Sequence, residues 1–347
     1  MNLRACPTAL VLFLLCAPLF AASDRIHVTP DFSEADAVLS ILQKRAASQP
    51  VADAHWQRLF STEPYQRLQK RETGMHREFT DDDFKKFVLS DDLLKQRSEL
   101  ARTVADWKAA DLSAGAARIL PYLPAESTIK VKVFPVIKPR HNSFVFEAST
   151  DPAIFLYVDP TKSRATFENT VAHEMHHIGL SSVDKQYDEK IASLPPPAHG
   201  VAQWMGAFGE GEAVLAAAGG PDADPVGDPT PELKENWARG MRDFNQDLEK
   251  VNAFFLDVLN GKLKDDAINQ QAMDFFGLQG PWYTVGYKMA VLVEKHDGRP
   301  ALIDCMRDRR LLLVRYNAIA AEKNREGKNQ LALWSPEIFQ ATNGPSK

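Results

Sequence analysis

At 347 residues, with 44% hydrophobic and 25% charged side chains, the chain is long enough to bury a large core and too balanced in composition to be disordered or fibrous. A net charge of −5, with acids and bases interspersed and no basic stripe, argues against nucleic acid or an anionic membrane surface as partner. Only three cysteines, Cys6, Cys16 and Cys305, are present, which excludes a disulfide scaffold and leaves His and carboxylate side chains as the available metal ligands.

Residues 1–23 read as a cleaved secretory signal. Arg4 supplies a positive start, 9–20 is a compact apolar run, and Ala21, Ala22 and Ser23 are small residues suited to cleavage. The run is short for a bilayer span and polar sequence follows at once, so the expected product is exported, periplasmic or secreted, with no membrane anchor after cleavage. A lipid anchor on Cys16 would call for a small residue before it, and Leu15 stands there. Cleavage removes Cys6 and Cys16, so no intramolecular disulfide is expected. Cys305, in the apolar run Ala301-Leu-Ile-Asp-Cys-Met306, reads as a buried small hydrophobe.

From 24 to 125 the pattern is helical. Ser33-Glu-Ala-Asp36 resembles a capping box, and Ala37, Leu39, Ile41 and Leu42 supply the apolar positions that follow. Pro64 opens another helix. Thr80-Asp-Asp-Asp83 and Ser90-Asp-Asp92 place acid at two helix starts, where the dipole favours it; no Gly-bearing loop with a bidentate Glu follows to suggest calcium. Near Thr128 the period shortens to two. Residues 129–134, 142–147 and 153–158 read as three short strands, and their short connections predict a small, mainly antiparallel sheet. The last of these strands could be an edge that pairs with an extended peptide or an interior strand.

A helix follows over about 163–180 and carries H-E-x-x-H as His173, Glu174, Met175, His176 and His177. Residues four apart share a helical face, so His173 and His177 can present two imidazoles to one ion, and Glu174 can act as a base toward water. Phe167, Val171, Met175 and Ile178 fall within a sector of roughly 80° and form a core stripe, whereas the two histidines lie about 40° apart on another face. His176 points elsewhere, to solvent or behind the ligands.

Two ligands do not complete a catalytic zinc site, which takes three. No histidine follows soon after Gly179; His199, beside Pro195-Pro-Pro197 in a stretch that reads as loop, is the nearest downstream candidate. Residues 201–218 read as one apolar helix with two acids, Glu210 and Glu212, which diverge by about 200°, so only one can face the ion. Gly209, Gly211 and Ala213 would let this helix approach the histidine helix closely. Helices are expected from about 232–259, 265–276 and 281–295, with shorter ones beyond.

H-E-x-x-H followed by Glu210-Gly-Glu-Ala213 resembles the gluzincin superfamily of zinc peptidases, and within it a largely uncharacterised group of bacterial zinc-dependent peptidases with this Glu-Gly-x-Ala form. Tyr283-Thr-Val-Gly-Tyr287 is a further, weaker likeness, and the resemblance spans about 153–320. It implies Zn²⁺ held by His173, His177 and Glu210, Glu174 as general base, and a phenol hydrogen bond from Tyr283 or Tyr287 to the oxyanion. The expectation is an α+β, predominantly helical protein: a 24–125 helical region, then 126–347 with a zincin-like metallopeptidase core and C-terminal helices. Its substrate would be a peptide or protein. A helical scaffold with a structural zinc, or a zinc hydrolase for a non-peptide amide or ester, are the alternatives.

Overall fold

The computed structural model describes residues 25–227, 230–327 and 330–343. The signal reading of 1–23 lies outside them. The described chain runs β1 (Ile26–Pro30), α1 (Ser33–Ala46), α2 (Asp53–Phe60), α3 (Glu63–Gly74), α4 (Asp81–Val88), α5 (Asp91–Trp107) and α6 (Leu112–Ile119). Strands β2 (Ile129–Val136), β3 (Phe144–Phe146) and β4 (Ala153–Tyr157) lead to α7 (Arg164–Ser181), the histidine helix. Then come α8 (Lys185–Ile191), α9 (Pro196–Met205), α10 (Gly209–Ala218), α11 (Pro231–Arg242), α12 (Phe244–Leu259) and α13 (Asp265–Asp274). The order closes with α14 (Pro281–Asp297), α15 (Arg299–Arg307), α16 (Arg310–Arg325) and α17 (Pro336–Thr342). No described helix is long and apolar enough to cross a membrane.

The helix starts follow the local chemistry. Thr80 accepts from the Asp83 amide at 3.1 Å and Ser90 from the Leu93 amide at 3.3 Å, each satisfying a donor that the first turn leaves free. The expected box at Ser33 does not form. Ser33 is already helical, and its amide donates instead to Asp31 Oδ1 at 2.7 Å. Pro196 and Pro197 are not loop residues: they open α9, where a missing amide proton costs nothing. Residues 201–218 divide into α9 and α10 at a 3-10 turn, Gly206–Phe208.

The mainly antiparallel sheet is corrected to a mixed one of order β1-β2-β4-β3. β1 and β2 are parallel, as are β2 and β4; only β3 and β4 run antiparallel. Two physical facts account for this. The short alternating stretch Ile26-His-Val-Thr-Pro30 is a strand, and the helices α1 to α6 form its crossover to β2. No helix is needed between β2 and β4, because β3 carries the chain back before β4 inserts between them. β4 is therefore interior, and the free edges belong to β1 and β3.

One hydrophobic cluster runs from Ala35 on α1 to Ile338 on α17, so the N-terminal helices share a core with the rest. α7 crosses that core on its predicted stripe: Phe167, Val171, Met175 and Ile178 are all buried, and Phe167 stacks on Trp107 of α5 at 4.4 Å. This fixes the rotation of α7 and turns its histidine face toward α10.

Glu34 pins α1 to the end of β2. It is fully buried, its Oε2 accepts the Ile137 amide at 2.9 Å, and its Oε1 has no partner. Burial raises this carboxyl to about 8, against the opposing Ile137 hydrogen bond and Lys138 charge. The folded state thus keeps a proton that the unfolded chain releases near its ordinary value of 4.5. This contribution to stability is full below that value and is lost as pH rises to about 8. Glu34→Gln, which cannot ionise, should flatten this slope and gain on the order of 5 kcal/mol relative to wild type between pH 4.5 and 8, read by urea denaturation at a series of pH values.

Candidate metal centre

The i, i+4 spacing on α7 puts the imidazoles of His173 and His177 side by side, with Nε2 atoms 3.1 Å apart and rings nearly perpendicular. From α10, Glu210 brings Oε2 to 3.0 Å from His173 Nε2 and 3.3 Å from His177 Nε2. Three donor atoms thus form a triangle with edges of 3.0 to 3.3 Å. Ligands about 2.0–2.1 Å from one tetrahedral zinc stand roughly 3.3 Å from each other, so both the spacing and the two-nitrogen, one-oxygen donor set fit zinc. This close packing places opposing demands on the protons. Burial works to raise the Glu210 carboxyl, but the His177 charge and the hydrogen bonds from both imidazoles outweigh it and hold the group well below the carboxylate range. Burial would lower His177, but the charge and hydrogen bond of Glu210 carry it to about 9. Metal binding at these atoms therefore displaces protons, and affinity should rise with pH.

Glu174, beside His173 on α7, is partly exposed, and its charge acts on both His177 and Tyr283. Tyr283, in the first turns of α14, lies with its ring nearly parallel to His173 at 6.1 Å, close enough for the Glu210 charge to act on its phenol. Burial, then the Glu210 charge, push its phenol far up, so the hydroxyl keeps its proton and remains a donor.

The contact between α10 and α14 explains why two glycine-bearing motifs occur together. A Cβ on Gly211 would lie 1.9 Å from the Tyr287 amide nitrogen and 2.6 Å from the Tyr283 carbonyl oxygen. A Cβ on Gly286 would lie 2.6 Å from the Phe208 carbonyl oxygen. The helices cross backbone to backbone, and that crossing sets Tyr283 against Glu210. Gly211 therefore serves the approach to α14, rather than the expected approach to the histidine helix.

Other expected residues divide clearly. Glu212 is fully buried away from the triangle, neither of its carboxylate oxygens has a partner, and burial raises it to about 7 against the charge of Arg309. Tyr287 is not brought to the triad. It packs edge-on against Trp237 at 5.1 Å, and the acids acting on its hydroxyl are Asp224 and Asp222. His176 is fully buried rather than solvent-facing: Nε2 donates to the Tyr122 carbonyl at 3.3 Å, and burial keeps the ring neutral. His199 sits on α9, outside the three-residue group. Cys305 is buried and its thiol is pushed up to about 12 by burial, so it is no nucleophile.

A cleft of about 410 Å³ opens beside the triad, lined by His177 and Glu210 together with Tyr187, Trp204, Phe276 and Arg309. Arg309 belongs to no motif, and its only sequence signal is the charged run Asp308-Arg-Arg310. A mixed α+β fold that gathers two histidines and a glutamate around one point presents a candidate metal centre. Residues 56–325 match a family described as putative zinc dependent peptidase (DUF5700), and the chain belongs to that family. No curated protein and no solved structure matches it. The cofactor is zinc, and the His173, His177 and Glu210 group is positioned to bind it.

Proposed function

We propose that the protein is an exported, gluzincin-type zinc peptidase with His173, His177 and Glu210 as ligands, Glu174 as general base and Tyr283 as oxyanion donor. The observation that carries this reading is the triangle of donor atoms, with Glu174 on the same helix and the Tyr283 ring stacked beside His173. Bound there, zinc supplies Lewis acidity that lowers the pKa of water and polarises a carbonyl. Glu174 takes the proton of the attacking water on a carboxylate oxygen and passes it to the leaving amide nitrogen. Tyr283 donates its hydroxyl proton in a hydrogen bond to the oxygen on which charge develops. Export rests on the leader at 1–23.

The purified protein should carry one zinc per chain and cleave members of a mixed peptide library in a chelator-sensitive, zinc-restored manner. Glu210→Gln should weaken zinc by more than the roughly 10–100-fold that loss of an outer partner costs, with Glu212→Gln staying within that range. A Glu210→Gln protein with wild-type zinc affinity would rule out this ligand set.

A further inference from the structure

We propose that the cleft beside the triad is a carboxylate subsite, in which Arg309 anchors the free C-terminal carboxylate of a peptide ending in a large apolar residue. Its role in turnover rests on the peptidase reading above; its role in binding does not. Arg309 is 8% exposed yet lines the same cleft as His177 and Glu210. A guanidinium has five N–H donors, and a buried one is normally satisfied at most of them. Here the one hydrogen bond found runs from Nη2 to Asp184 Oδ1 at 2.8 Å, and Nε is buried without a partner. Donor capacity therefore remains on a fixed cation.

Its orientation is held from several sides. Asp184 takes one nitrogen, the Tyr187 ring lies 5.2 Å from the guanidinium carbon, and at Gly206 even a Cβ would stand only 3.6 Å from Arg309 Cδ. Arg309 shares its cleft with His177 and Glu210, so the anchor lies beside the reacting centre. Four acids lie nearby, of which Glu210 is turned to the two imidazoles. Asp184 is already spent on Nη2, and Asp188 is exposed. Glu212 makes no hydrogen bond to the guanidinium. The rest of the wall mixes apolar Leu180, Trp204 and Phe276 with polar Ser181 and Gln203. A buried guanidinium with the apolar surface of Leu180, Trp204 and Phe276 in the same cleft suits a carboxylate that adjoins a large apolar side chain, as in a C-terminal residue. Hydrolysis would add water across the last peptide bond, breaking its C–N bond to release a free amino acid and leave a new carboxylate on the shortened peptide.

The test is calorimetric titration of the zinc-loaded full chain with acetyl-phenylalanine, acetyl-phenylalanine amide and acetyl-aspartate amide, repeated after chelation. The acid should bind at least about tenfold more tightly than either amide, and the preference should survive chelation, which removes direct carboxylate–metal contact. Arg309→Met should abolish the preference and Arg309→Lys should restore part of it. Equal binding of acid and amide by the chelated wild-type protein would overturn the proposal, with no variant needed. A preference retained by Arg309→Met would also overturn it. Acetyl-aspartate amide binding as tightly as acetyl-phenylalanine would overturn the C-terminal assignment in favour of an acidic side chain. None of these readings requires turnover, so absence of hydrolysis would count against the peptidase and leave the binding result intact.

Discussion

Glu174→Gln is expected to keep its zinc and lower peptide turnover by about 10²–10⁴-fold, the usual contribution of a positioned general base. The substitution is nearly isosteric, and Glu174 is not one of the three residues whose donors converge. Stoichiometry measured by metal analysis should therefore stay at one zinc per chain. The amide that replaces the carboxylate can still hydrogen-bond water but cannot accept its proton, so the loss should fall on kcat more than on KM. A secondary effect accompanies it. The Glu174 charge helps raise both His177 and Tyr283, so its removal should ease the phenol downward without deprotonating it near neutral pH. A fully active Glu174→Gln protein would sink the mechanism. A wild-type protein that binds zinc but cleaves nothing would favour the scaffold alternative, in which the conformation of the site matters and the base does not.

The histidine helix is legible from residue types because two independent patterns agree on it. The apolar residues of α7 mark the face that packs, and the histidines stand off that face at ligand spacing. Glu210 and Glu212 are harder to separate, since both sit in apolar, small-residue sequence and both end up away from bulk solvent. Helical phase says that they diverge, but which one meets the histidines depends on how α10 is rotated, and Gly211 settles that only once α14 is in place. The sheet is misread for a different reason. A five-residue strand at 26–30 pairs with β2 from far away in the chain, and neither the periodicity of β1 nor that of β2 encodes direction. His176 and Tyr287 show the same limit: their partners, Tyr122 and Trp237, come from distant segments that no local pattern links to them.

Gly211→Ala should be among the most damaging single-methyl changes available to this protein. In an exposed helix, the exchange would gain up to about 1 kcal/mol from backbone entropy. Here the added Cβ would meet the Tyr287 nitrogen at 1.9 Å and the Gly286 carbonyl carbon at 2.3 Å. Those are backbone atoms of a buried helix and cannot swing aside as a side chain would. α10 and α14 would have to separate, leaving voids along their backbone-to-backbone contact, at a cost we place at about 3 kcal/mol or more. Steric cost therefore outweighs propensity. Gly200 on α9 is the matched control: nothing lies within 4 Å of its would-be Cβ, so Gly200→Ala should be neutral or mildly stabilising. Urea midpoints for the two variants should move in opposite directions or differ widely. Because the same crossing holds Tyr283 against Glu210, the Gly211→Ala protein that remains folded should bind zinc more weakly and turn over more slowly than its stability loss alone would explain. If Gly211→Ala instead matches Gly200→Ala in both midpoint and zinc affinity, the two glycine motifs are not the halves of one helix crossing.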